Sequence, residues 1–217
     1  MIRFSNLSRH YDTKVGRKQV LDRVNAVFED GQNYAIMGPN GAGKSTLMRL
    51  ISGADMPSSG RIDRDEIVSW PLGFYGGFNG TMTGRENVAF VARIYGQDPR
   101  RVLQEAEAFA EIGKSIALPV STYSTGMRQR LAFGLSLAIR FDTYLIDEIT
   151  AVGDARFKKK CAEALSARLE TSRVIMISHT ISTIQKYCQR GMLLWQGSLY
   201  EYDDTEALIA DYKKFCS

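Results

Sequence analysis

Apolar and polar positions along the chain change period several times, and each change marks an element. Residues 2–7 alternate weakly and predict a short strand. Residues 20–28 alternate better, with Leu21, Val24, Val27 and Phe28 apolar, and Asp30-Gly31 follows as a turn signal. Between them, residues 12–18 read as a polar loop. These pieces predict a small, partly antiparallel sheet ahead of a buried strand over 33–37. After the helix-like run from Leu47 to Ile51, Pro57-Ser58-Ser59-Gly60 is a turn and Arg61-Ile62-Asp63 begins a short strand.

Residues 70–83 are rich in glycine and aromatics and have no clean period. They predict a structured loop, serving either as an interaction surface or as a surface loop whose aromatics pack down. Thr83 with Glu86 three residues later is a capping box opening a helix, with Val88, Val91, Ala92 and Tyr95 on one face and Gly96 and Pro99 ending it. A second amphipathic helix spans 101–113, with Val102, Ala106, Phe109 and Ile112 at helical spacing, and a third spans 127–139. Thereafter strands (143–146, 174–177) alternate with helices (155–169, 181–188). A hairpin of 192–195 with 198–202 turns at Gln196-Gly197, and a last helix covers 205–215 with Thr205 as N-cap. The pattern predicts one α/β domain over 1–217 with a helical subdomain inserted at about 84–138.

A chain of 217 residues is long enough for one large α/β domain with a sizeable core. The net charge of +4 is mild and by itself does not point to nucleic acid; no nucleic-acid partner is expected. No stretch reaches the ~20 apolar residues of a membrane span, and no apolar segment follows Met1-Ile2-Arg3-Phe4 to make a signal peptide. Cys161, Cys188 and Cys216 fit neither a metal-knuckle spacing nor a paired framework, so reduced thiols in cytosol are expected. With only His10 and His179 there is no histidine-rich metal site.

The chemistry begins at Gly38-Pro39-Asn40-Gly41-Ala42-Gly43-Lys44-Ser45-Thr46, a complete Walker A phosphate loop between a predicted strand and a predicted helix. Glycines at 38, 41 and 43 let backbone N–H groups converge on phosphate oxygens, and the helix adds its positive end. Lys44 is expected to reach the β- and γ-phosphates and Ser45 to ligate Mg2+. Asp147-Glu148 ends an apolar strand, where open α/β sheets place their ligands. Asp147 fits the Mg2+ contact, and Glu148 is placed to polarise or deprotonate an attacking water. The expected cofactors are ATP and Mg2+.

With these motifs the chain resembles, over essentially its whole length, the ATP-binding subunit of ATP-binding-cassette (ABC) transporters. The run Ser124-Thr125-Gly126-Met127-Arg128-Gln129-Arg130 is similar to the family's Leu-Ser-Gly-Gly-Gln signature; Tyr123, Thr125 and Met127 depart from it, while Ser124 and Gly126 remain. Ala151-Val152-Gly153-Asp154 resembles the D-loop, and Ser178-His179 the switch histidine. Tyr11 resembles the aromatic that stacks on adenine, with the adjacent His10 as the alternative. A glutamine usual in the family has no counterpart in Leu72-Gly73-Phe74-Tyr75-Gly76-Gly77-Phe78-Asn79. The resemblance implies a P-loop NTPase core of ABC ATPase type with an antiparallel β subdomain and an inserted helical subdomain. It further implies a head-to-tail dimer sandwiching two ATP molecules. Each site would join the phosphate loop, Asp147, Glu148 and His179 of one copy with Ser124 and Gly126 of the other.

The runs Ser69-Trp70-Pro71-Leu72-Gly73 and Met82-Thr83-Gly84-Arg85-Glu86-Asn87, with the Tyr-Ser-Thr-Gly-Met signature, are similar to the ATPases that export capsular polysaccharide in Gram-negative bacteria. Related ATPases export O-antigen or teichoic acid, some with an added C-terminal carbohydrate-binding domain, which is not expected here. The resemblance thus implies ATP hydrolysis powering export through integral membrane permease subunits, within a wider capsule export assembly. The ATPase would sit peripherally on the cytoplasmic face of the inner membrane and dock through loop 72–80, with Phe74, Tyr75 and Phe78, and the helices after it. Export of another glycan, and a non-transport ATPase of DNA repair or translation, are the alternatives. The long insertions or tandem cassettes of the latter are missing here.

Overall fold

A computed structural model describes residues 1–14, 16–72, 77–147 and 154–216. The chain divides into two compact units, taken over their described residues: Met1–Pro71 with Asp142–Ile149 and Ser172–Ser217, and Leu72–Phe141 with Thr150–Thr171.

The first unit carries two sheets. Strands β1 (Ile2–Thr13), β2 (Gly16–Phe28) and β4 (Ser59–Arg64) form an antiparallel sheet in the order β2-β1-β4. The second sheet runs β5-β6-β7-β3-β8-β9, built from β5 (Val68–Pro71), β6 (Thr143–Asp147), β7 (Arg173–Ile177), β3 (Tyr34–Met37), β8 (Arg190–Trp195) and β9 (Ser198–Tyr202). Its pairs are parallel except the β8–β9 hairpin. β3, β6 and β7 read as continuous apolar runs because they lie inside this sheet, not at its edge. Phe4, Phe28 and Tyr34 meet edge to face in a core shared by β1, β2, β3 and the buried side of helix α1 (Lys44–Ser52), including Leu47, Met48 and Ile51. Helices α6 (Ile181–Tyr187) and α7 (Thr205–Cys216) complete the unit.

One buried cation ties its strands together. The Arg173 guanidinium at the start of β7 pairs with Glu66, donates to Thr143 Oγ1 at 2.6 Å on β6, and donates to the carbonyl of Phe28 at 3.2 Å at the end of β2. At 7 % side-chain exposure this arginine is kept charged by that full set of acceptors.

The second unit is helical. α2 (Gly84–Ile94) opens on Thr83 with the predicted capping box: Thr83 Oγ1 accepts from Glu86 N at 3.2 Å, and Glu86 accepts from Thr83 N at 2.8 Å. α3 (Pro99–Ala110) packs on α4 (Thr125–Ala138) so closely that a Cβ on Gly134 would lie 2.9 Å from the Ala106 carbonyl oxygen. That approach explains a glycine inside an otherwise apolar helix. α5 (Ala155–Leu169) adds Phe157 and Cys161 to a cluster with Phe133 and Leu137, around which Phe109 stacks on Phe133.

Four expectations change. The stretch 12–18 is no loop: β1 and β2 continue as an exposed ribbon pairing Tyr11 with Lys18 and Thr13 with Gly16. Beyond Tyr11, which packs on the core, Asp12, Thr13 and residues 16–19 are exposed, so polar residues there carry no alternation. Val68–Pro71 is a strand inside the segment read partly as loop. Pro99 starts α3 at its first position, capped by Asp98, where it was expected to end α2. Asp204, not Thr205, caps α7, accepting from Ala207 N at 2.7 Å. Cys161 and Cys188 are free and buried, and burial pushes their thiols up to about 11 and about 12.

Candidate functional site

The phosphate loop leaves β3 at its C-terminal end and closes on α1. Gly38 has φ +155° and Gly43 φ +107°, backbone conformations that L side chains rarely adopt. Each also faces a close neighbour. A Cβ on Gly38 would lie 2.4 Å from the Leu194 carbonyl oxygen, and one on Gly43 2.2 Å from Val20 Cγ1. Two of the motif's glycines are therefore dictated by the strands flanking the loop as well as by what the loop holds.

Inside the loop, the Lys44 ammonium donates to the carbonyls of Gly38 at 2.6 Å and Pro39 at 3.0 Å. Its side chain is buried along α1, with only the head reaching the loop interior. Ser45 Oγ donates to Asp147 Oδ2 at 2.9 Å, linking the first turn of α1 to the end of β6. His179 follows β7 at the same sheet end and is exposed, while Ser178 before it is buried and accepts from Thr180 N at 3.1 Å. Adjacent strands β6, β7 and β3 thus deliver Asp147, His179 and the loop to one edge, the place where parallel sheets bind ligands.

These residues share one cleft of about 380 Å³. Tyr11, Asn40, Gly41, Gly43, Lys44, Ser45, Thr46, Asp147 and His179 line it, together with Lys18 and Val20 of β2. The sequence reading missed Lys18 and Val20; the alternation of β2 was the available signal, and its register beside Tyr11 was not visible. His10 is not among the lining residues, so Tyr11 rather than His10 is the aromatic at the cleft. Burial raises the Tyr11 phenol, but hydrogen bonds with Thr46, Arg9 and Arg49 outweigh it and hold the group below its ordinary value. Ala42 is half-buried against the core of the first unit. Glu148 and residues 151–153 of the expected D-loop lie outside the described residues, as do Phe74 and Tyr75.

The oxygen pair of Ser45 and Asp147 is the hard donor set a small divalent cation prefers, and Lys44 lines the same cleft. The residues present therefore fit a magnesium-bound phosphate chain.

In the second unit Ser124 is the N-cap of α4, its Oγ accepting from Met127 N at 3.2 Å. Gly126 lies in the first turn, and a Cβ there would find nothing nearer than Ser124 Oγ at 3.9 Å. Among the described residues no neighbour demands this glycine. Asp154 caps α5 through Phe157 N at 2.9 Å and pairs with Arg130 of α4 at 3.1 Å.

A strand–phosphate loop–helix unit on a parallel sheet, with a carboxylate bonded to the loop serine, defines a P-loop nucleotide-binding protein. The chain belongs to the ABC transporter family, whose model matches residues 21–151, and it is an ABC-type ATPase. It is 51 % identical over 221 residues to the polysialic acid transport ATP-binding protein KpsT of Escherichia coli, covering 99 % of both chains. It is 44 % identical over 212 residues to the capsule polysaccharide export ATP-binding protein CtrD of Neisseria meningitidis serogroup B, covering 98 % of both. In fold it resembles the ATP-binding cassette MJ0796 bound to ADP and Pi, with a TM-score of 0.72 at 23 % identity over 94 % of this chain and 98 % of that one. Among the described residues no helix is long and apolar enough to cross a membrane.

Proposed function

We propose that the chain is the ATP-hydrolysing subunit of a capsular polysaccharide exporter, a single ABC ATP-binding domain over 1–217 with its helical subdomain at about 84–138. The observation that carries the nucleotide chemistry is the meeting of Lys44, the Ser45–Asp147 pair, His179 and Tyr11 around one cleft. The cargo rests on relatives named for polysialic acid transport and capsule polysaccharide export that match nearly end to end.

The loop backbone from Gly38 to Thr46 binds the phosphate chain of ATP, and Tyr11 offers its ring to the base. Lys44 exchanges its two carbonyl partners for the β- and γ-phosphate oxygens. Ser45 and Asp147 are the residues that would hold Mg2+, whose chemistry when bound is to neutralise charge building on the transferred phosphoryl group. Glu148, next after Asp147, polarises the attacking water, and His179 donates to the γ-phosphate. Ser124 and Gly126 of a second copy complete the site, where the uncrowded first turn of α4 lets an anion approach the helix N-terminus. Closure and reopening of that head-to-tail dimer drives integral membrane permease subunits and the wider capsule export assembly from the cytoplasmic face of the inner membrane, without a nucleic-acid partner.

The test is Glu148→Gln. ATP binding is retained, an ATP-bound dimer accumulates in size-exclusion chromatography, and turnover falls by about 10²-fold or more. Hydrolysis at the unaltered rate overturns the assignment of Glu148.

A further inference from the structure

Tyr11 stands on a strand of the antiparallel sheet, while the phosphate loop leaves the other sheet. Main-chain bonding joins the sheets at the β8–β9 turn, where Asp22 N donates to the Gly197 carbonyl at 2.9 Å, while side chains link the Tyr11 ring to the phosphate-loop helix itself. Asp55, just beyond α1, uses both carboxylate oxygens: Oδ2 accepts from the Tyr11 hydroxyl at 2.9 Å, and Oδ1 pairs with Arg9 Nη2 at 2.9 Å. Arg9 and Tyr11 are two apart on β1 and so share a face, and the guanidinium carbon lies 4.4 Å from the Tyr11 ring centroid. The hydroxyl also meets two residues of α1, accepting from Arg49 Nη2 at 3.2 Å and lying 3.4 Å from Thr46 Oγ1. The β1–β2 register shifts between Leu7 and Arg9 and again between Arg9 and His10, directly before Tyr11. Such irregularities re-aim side chains beside binding sites.

Tyr11 lines the cleft and Arg9 does not, and the guanidinium covers one face of the ring. We propose that Arg9 and Asp55 are positioning residues for the nucleobase, clamping the Tyr11 ring to the phosphate-loop helix so that base and phosphate subsites keep a fixed spacing. The inference rests on the reading of Tyr11 as the base platform. A phenol released from this clamp keeps its ring yet must be ordered again at each binding event, so affinity falls without loss of any group that touches the nucleotide.

The experiment measures equilibrium binding of MgATP and of magnesium tripolyphosphate, which has no base, to the full chain and to the variants Tyr11→Ala, Arg9→Gln and Asp55→Asn. Tyr11→Ala sets the full contribution of the platform. Arg9→Gln and Asp55→Asn are expected to weaken MgATP by about 3- to 10-fold, the range of one ring or cation–ring contact, with tripolyphosphate unchanged. If Tyr11→Ala weakens MgATP selectively and the other two do not, the clamp is overturned while the platform stands. Equal weakening of both ligands in Arg9→Gln and Asp55→Asn also overturns it, since that marks a general structural or charge effect. If Tyr11→Ala itself leaves MgATP unchanged, the platform reading fails and the clamp falls with it.

Discussion

The Tyr123 hydroxyl occupies the space that a side chain at Gly84 would need: a Cβ built on Gly84 would lie 2.4 Å from it. Tyr123 is 4 % exposed and donates to the Ser115 carbonyl at 2.7 Å, which fixes the ring just ahead of the Ser124 cap of α4. The departure from leucine at this position is therefore matched by a glycine 39 positions earlier, at the first turn of α2. Gly84→Ala should destabilise the protein by about 1–3 kcal/mol, the usual cost of overpacking. Combining it with Tyr123→Leu should recover part of that loss. Chemical denaturation of the single and double variants measures the coupling, and strictly additive losses would show that the two side chains do not compete for this space.

Ser45 and Asp147 make the corresponding link in the first unit, 102 positions apart and bonded at 2.9 Å. If they hold the cation together, Ser45→Ala and Asp147→Asn should each reduce nucleotide affinity by about tenfold or more in magnesium and leave affinity in EDTA nearly unchanged. Titrating a fluorescent ATP analogue with and without the metal separates the cases. A loss of equal size in both conditions points to loop collapse instead.

What was legible in the sequence was local. The phosphate loop and the Thr83–Glu86 box each need only a few consecutive residues, and each appears where expected. Buried strands were legible because parallel strands covered on both faces leave uniform apolar runs, as in Val174 to Ile177. The hairpin ribbon of Tyr11 and Lys18 was not, because no buried face imposes a period on it. Asn87 was hidden for another reason. Its buried amide donates to the carbonyls of Asn79 and Thr83, both at 3.0 Å, while its oxygen accepts from Asn79 N at 2.8 Å, and so it folds the end of the glycine-rich loop. Nothing in a single asparagine announces four bonds to Asn79, Met82 and Thr83 of the preceding segment. The Asp55–Tyr11 and Glu66–Arg173 contacts span 44 and 107 positions, beyond any pattern of local spacing.

Acid should weaken the second unit through carboxylates that the fold holds below their ordinary values. The Lys160 ammonium, at 2.7 Å, is the main cause holding Glu111 below the ordinary glutamate value, with Arg156 and Arg130 adding to it. The amide of Phe157 does the same for Asp154, and that of Thr83 for Glu86. A depressed folded-state value means stabilisation that is complete above the unfolded value, near pH 4–4.5, and lost as pH falls through the lower folded value. Stability should thus be level in this respect at neutral pH and decline below about pH 4.5. Glu111→Gln should make the decline shallower in urea titrations between pH 7 and 3, and an unchanged slope would remove Glu111 from the account.

The pair of Glu66 and Arg173 gives the sharpest energetic prediction because both side chains are at least nine-tenths buried, with exposures of 9 % and 7 %. Burial lowers the Arg173 value, so the charge there depends on its partners. Glu66→Leu leaves a buried guanidinium with the exposed Asp30 carboxylate 4.0 Å away, and Arg173→Met leaves a carboxylate bonded to Thr143 Oγ1, with the Met1 amino group 3.6 Å away, and strips the Phe28 carbonyl of a donor. Each single change should cost about 3–5 kcal/mol, the penalty of an uncompensated buried charge. The double variant removes both charges and should be well below the sum, with a coupling of about 2 kcal/mol or more. It should not return to the wild-type value, because the Phe28 carbonyl and Thr143 Oγ1 still lose their Arg173 donor. Urea midpoints of the four proteins decide it, and losses that simply add would mean that solvent reaches the pair and screens it.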